Sequence, residues 1–117
     1  MSTYGIDSES ASLDNLIAGT VKTLAVTIKA SEGAIAVGQV LEFDGSSNEF
    51  QKYTNGSSAA AYVVAAEAVT ITSAAPCLAI VQGEVNLGAL DATAQADPEI
   101  VGALLGSGII PRTAQPA

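Results

Sequence analysis

The sequence predicts a mainly β fold: a β-rich α+β domain, barrel- or sandwich-like, with one short C-terminal helix and a flexible N-terminal arm. Three observations predict it. Short apolar runs with two-residue alternation recur between turn residues. A single late segment changes to helical spacing. Residues 1–20 carry neither pattern. The chain accordingly divides into an arm over 1–20 and one β-rich domain over 21–117.

The arm is rich in Ser, Asp and Glu, with isolated Tyr4, Ile6, Leu13, Leu16 and Ile17. No sustained period links these apolar residues, and so polar a stretch cannot bury enough surface to order itself. They are either loosely packed strays or contacts awaiting a partner. From Thr20 to Ala30 the character changes. Leu24, Val26 and Ile28 alternate with Thr23, Ala25, Thr27 and Lys29, as in a half-buried strand. "ASEGAIAVG" then reads as a turn, "QVLEFD" as a second strand and "EFQKYT" as a third, with Phe43 and Phe50 flanking the hairpin. Asp44-Gly45 is a turn signal between them.

"AYVVAAEAVTI" is open to two readings. Its alanines favour helix, whereas Tyr62, Val63, Val64, Val69 and Ile71 favour strand; length and neighbours favour strand. "CLAIVQGEV" is the most strand-like run, with Leu78, Ile80 and Val81 as its buried residues. In "ADPEIVGALLGSG", Asp97 is placed to cap a helix that Pro98 and Glu99 begin. Ile100, Val101, Leu104 and Leu105 share its apolar face, and Gly106 and Gly108 permit a left-handed exit. "GIIPR" is a last short strand that Pro111 keeps at an edge.

Composition narrows the function. The 117 residues are 49% apolar but include two Phe, three Tyr and no Trp, so the core is built from Val, Ile, Leu and Ala. Small side chains bury little area each, at roughly 25 cal/mol per Å², and association is the usual remedy. Four basic residues face twelve acidic ones, a net charge of −8. Lys22, Lys29, Lys52 and Arg112 are too few and scattered to replace counterions on nucleic acid or to hold an anionic membrane. The start of the chain has no basic region followed by an apolar one, and no apolar run approaches the roughly 20 residues of a membrane span. A soluble protein made in a cytoplasm is expected.

No constellation for catalysis or cofactor binding is visible. The chain has no His, which removes the usual Ser-His-Asp and Cys-His arrangements, and its single Cys77 reads as a small buried hydrophobe. Asp44, Ser46 and Asn48 match the first ligand positions of a calcium loop. Glu49 stands where that loop needs glycine, and Asn55 where it needs glutamate. "GSGIIP" lacks the third glycine of a dinucleotide loop, and the Asn55-Gly56-Ser57 sequon is better explained as a turn. Glu84 has no His to orient and no close second carboxylate to raise its pKa. It reads as a structural carboxylate, and the protein as no enzyme, with no metal and no cofactor.

"LAIVQGEVNLGAL", followed by "LLGSGIIPR", resembles the head decoration proteins of lambda-type bacteriophages. Gly83, Glu84, Val85, Asn86 and Leu90 match the first segment; Gly108, Ile109, Ile110 and Arg112 match the second. Pro111 stands where that family more often has a β-branched residue. Upstream, the strand, hairpin and alanine-rich strand of residues 38–69 follow in the family's order, so the likeness spans about Ile28 to Arg112. The resemblance implies a homotrimer on the outer surface of an expanded capsid, in the virion, with the major capsid protein as partner and without enzymatic activity. It also implies an arm that lies along the shell, which would make Tyr4, Ile6, Leu13, Leu16 and Ile17 capsid-binding residues. Two rivals stand beside it. "IAVGQVLEF" resembles biotinyl and lipoyl carrier domains, but Lys52 lies in a strand-like run instead of at a hairpin tip. A carbohydrate-binding surface module would need more aromatic residues than are present.

Overall fold

The computed structural model describes residues 13–54 and 59–113, and Tyr4 and Ile6 lie outside them. Eight strands form: β1 (Ile17–Ile28), β2 (Gly33–Ile35), β3 (Val40–Asp44), β4 (Glu49–Lys52), β5 (Tyr62–Ala65), β6 (Val69–Ile71), β7 (Ala75–Asn86) and β8 (Ile109–Arg112). Six of them make one sheet in the order β1-β4-β3-β5-β7-β8. Because β1 also pairs antiparallel with β7, five strands close on themselves, with β8 added parallel to β7. A separate ribbon joins β2 to β6. The fold is mainly β, as the alternation predicts.

Strands β3, β5 and β7 are buried on both faces. One face carries a cluster that includes Val26, Ile28, Leu41, Val63, Cys77 and Ala79. The other carries Val40, Tyr62, Val64, Ile80, Val85 and Ile109, together with Leu16 and the helical residues Ile100 and Leu104. Double burial explains why "YVVA" reads as an unbroken apolar run. The β3–β4 hairpin sets Phe43 against Phe50, ring centroids 5.3 Å apart and edge to face. Its turn departs from the Asp44-Gly45 expectation. Asn48 is the residue with positive φ, and the Asp44 carboxylate accepts the Ser46 N–H at 3.0 Å.

Three further expectations need correction, besides that of Leu78, which is 37% exposed where burial was expected. The "ASEGAIAVG" turn contains β2, which is held by β6 and is too short to show a period. The helical region is richer than one helix. A 3₁₀ turn at Leu87–Ala89 leads to α1 (Ala92–Ala96) and then α2 (Ile100–Gly106). Asp91 starts α1 by accepting the Ala94 N–H at 3.2 Å, and its other oxygen accepts the Val40 N–H at 2.8 Å. Asp97 accepts the Glu99 N–H at 2.9 Å as the chain turns into α2, and the exit runs through Ser107 and Gly108 (φ +90). The third correction concerns the arm. Residues 13–16 are helical, β1 begins at Ile17, and Leu16 is fully buried. The domain therefore starts before residue 20, because Leu16 gains a cluster 69 positions further on around Val85.

Candidate functional site

The resemblance-bearing segments and the root of the N-terminal segment, far apart in sequence, come together around one end of β7. Gly83, Glu84, Val85 and Asn86 form its last turn-ward residues, flanked by β1 on one side and β8 on the other. Ile17 stands opposite Val85 across β1–β7; on the opposite edge Gly83 faces Ile109, Glu84 faces Ile110 and Asn86 faces Arg112. Val85 and Ile109 are fully buried with Leu16, and Leu13 and Ile17 pack against them. Tyr4 and Ile6 lie outside the described residues. Of the apolar residues in the predicted arm, Leu16 is thus core, and Leu13 and Ile17 are half-buried supports for it.

Two irregularities shape this end. Between Lys22 and Thr23 the register slips because β7 carries an extra residue, and between Ile17 and Val21 it slips again in β1. The first lets Ile80 and Val85, an odd number of positions apart, reach the same cluster. At the second, β1 folds tightly over Gly83, whose φ is +127; a Cβ there would sit 2.3 Å from the Thr20 carbonyl oxygen. Only glycine fits, by conformation and by space.

Glu84 is tied to structure. Its Oε1 accepts from Arg112 at 2.8 Å, and its carboxylate lies over Gly19, where a Cβ would meet the carboxylate carbon at 2.9 Å. Asn86 donates to the Asn15 carbonyl at 2.6 Å, fastening the helical turn of 13–16 to the strand. Pro111 costs the β7–β8 ladder a donor opposite Val85, and the strand continues past it to Arg112 at the sheet edge.

A second region was not visible in the sequence. Tyr53 donates to the Asp97 carboxylate and packs edge to face on Tyr62, centroids 5.8 Å apart. The Tyr62 N–H donates to Ser107 Oγ at 3.0 Å, and its hydroxyl accepts the Ala59 N–H at 2.9 Å. Above these rings lies a groove of about 630 Å³, walled by Gly102, Ala103 and Gly106 of α2. Of its polar groups, Ser107 Oγ is engaged in joining the end of α2 to β5, and the Tyr53 hydroxyl in holding Asp97. Glu42 is also buried, and its carboxylate accepts from the Gln51 amide at 2.8 Å. A pattern of cross-strand polar pairs was the available signal for it.

Lys29 and Asp44 form the second ion pair, at 2.7 Å. The hydrogen bond from Lys29, followed by those from Ser46, holds the Asp44 carboxyl far below the usual carboxylate range, and the same bond raises Lys29. Lys52 lies in β4, away from the hairpin tip, and its N–H donates to Glu32 at 2.7 Å, which is unlike a carrier's attachment lysine. Among the described residues no group of three metal-ligating side chains occurs, and no helix is long and apolar enough to cross a membrane. Several large apolar side chains remain outside, Leu24 and Leu105 more than half exposed, with Val101 and Ile110 next. No family model matches the chain, and no curated protein matches it.

Proposed function

We propose that the chain is a capsid decoration protein, which binds the outer surface of an expanded phage capsid as a homotrimer and cements neighbouring capsid subunits. The observation that carries this reading is the convergence just described. The two segments that resemble decoration proteins, Gly83–Asn86 and Gly108–Arg112, pair with one another, and β1 brings the root of the N-terminal segment to the same strand. An arm leaving the domain there starts from a fixed anchor, Leu16, which limits the volume it searches and raises its effective concentration at a docking site.

Binding one shell form and not the other would by itself stabilise the expanded state. A net charge of −8 opposes self-association, so the trimer contact must be apolar; Leu78, Val101, Leu105 and Ile110 are exposed side chains available for it. The charge would keep free protein soluble in the host cytoplasm until it reaches the virion. The test is co-sedimentation with purified expanded and unexpanded shells, joined with light scattering. Pelleting with expanded shells alone and a mass about three times 11.6 kDa supports the reading. Failure to pellet with either shell, or turnover of a substrate, overturns it.

A further inference from the structure

Strand β1 is twelve residues long, yet only one of its edges is used throughout. The inner edge pairs with β7 from Ile17 to Ile28. The outer edge meets β4 at a single position, Ile28 opposite Phe50, extended by the Lys29 N–H bonding the Phe50 carbonyl at 2.9 Å. Among the described residues, no strand pairs with that outer edge from Ile17 to Thr27. Alternate residues of a strand aim their N–H and C=O groups to the same side, so about half of this stretch offers its main chain outward.

Proteins blunt such edges with charge, bulges or proline. Here the bulges and the one charge, Lys22, all fall before Thr23. From Thr23 to Thr27 the register is regular, no residue is charged and none is proline, and Leu24 is 58% exposed. The protected half and the open half of one strand are therefore distinct. Charge says what the open half takes. β1 contains no carboxylate, and no described carboxylate forms a salt bridge with Lys22, whereas Lys29 and Arg112 are both paired. A second copy of β1 would bring Lys22 no acidic partner.

We propose that the outer edge of β1 receives an extended segment of the partner shell protein, which adds as a strand along 23–27, covers Leu24 with an apolar side chain and sets a carboxylate against Lys22. This rests on the decoration reading and deepens it by naming the gripping surface on this chain. Main-chain bonds supply affinity there, while the lysine and leucine fix register.

The experiment is hydrogen–deuterium exchange on the full chain, free and bound to expanded shells of the cognate capsid protein, together with pelleting of Leu24→Lys and Lys22→Glu. Leu24 and Lys22 are exposed, so the variants keep the fold, which an unchanged melting temperature verifies. Amides of 23–27 that exchange quickly in the free protein should slow at least tenfold on the shell, and each variant should bind at least tenfold more weakly. Shell binding with unchanged exchange over 23–27, or undiminished binding by both variants, overturns the proposal and leaves the decoration reading standing. Slowing that depends on the concentration of the free protein identifies a second copy as the occupant and also overturns it. No pelleting of the unaltered chain overturns both.

Discussion

Arg112 and Glu84 form an ion pair at 2.8 Å across the parallel β7–β8 ladder, diagonally: Glu84 stands opposite Ile110, and Arg112 opposite Asn86. The pair closes the edge where Pro111 leaves the ladder a donor short. Both side chains are at least a third exposed, so the attraction is screened by water and salt. A double-mutant cycle with Glu84→Gln and Arg112→Ala, read by chemical denaturation, should give a coupling of no more than about 1 kcal/mol. High salt should shrink it further. A much larger coupling would mean that the carboxylate has a further role at this edge.

Glycine substitutions separate space from conformation. Gly83→Ala forces a side chain against the Thr20 carbonyl at positive φ, and should destabilise by more than about 1 kcal/mol. Gly102→Ala lies in α2, where nothing is within 4 Å of the added carbon, and should stabilise by about 0.5–1 kcal/mol. Thermal melts of the two variants beside the parent chain check the opposite signs.

Truncation should have a sharp boundary. Removing residues 1–12 leaves Leu16 in its cluster, and the melting temperature should hardly move. Removing 1–19 takes Leu16 and the first residues of β1, and should resemble Leu16→Ala, a loss of about 2–5 kcal/mol. Equal melting temperatures for the two truncations would place the domain boundary after residue 19 instead.

The Lys29–Asp44 pair predicts an acid-side signature. Asp44 is held below its unfolded value, first by Lys29 and then by Ser46. Its contribution is therefore fully present above the unfolded pKa of about 3.9, and is lost as pH falls through the depressed folded value. Lys29 is raised, so its share is present below its unfolded pKa of about 10.4 and is lost as pH rises beyond it. The stability gap between the parent and Asp44→Asn should be steady from pH 5 to 9 and narrow from pH 4 towards 2. Urea midpoints across that range measure it.

Strand β1 was legible through an alternation that survives in the sequence, and β3, β4 and β7 through apolar and β-branched runs set between turn residues. Where both faces are buried, as in Tyr62–Ala65, alternation vanishes and helix and strand look alike. Helix α1 was hidden because its alanines, threonine and glutamine form no apolar stripe; only Asp91, ahead of it, signals a start. Leu16 was unreadable for another reason. Its burial depends on Val85 and Ile109, and no local pattern reports a contact of that span. The residues of the candidate site were named individually in the sequence, but their meeting around one strand end follows from register alone.

Strand β7 has a consequence for how the molecule comes apart. Cys77 and Ala79 look into one cluster while Ile80 and Val85 look into the other, so neither has a wall of its own on that side. Detaching this single strand floods both at once, which leaves no half-molecule to linger. The Cys77 thiol, sealed from solvent, then serves as a built-in reporter: it should become reactive in step with the disappearance of helical signal from α2, although the two sit on opposite faces.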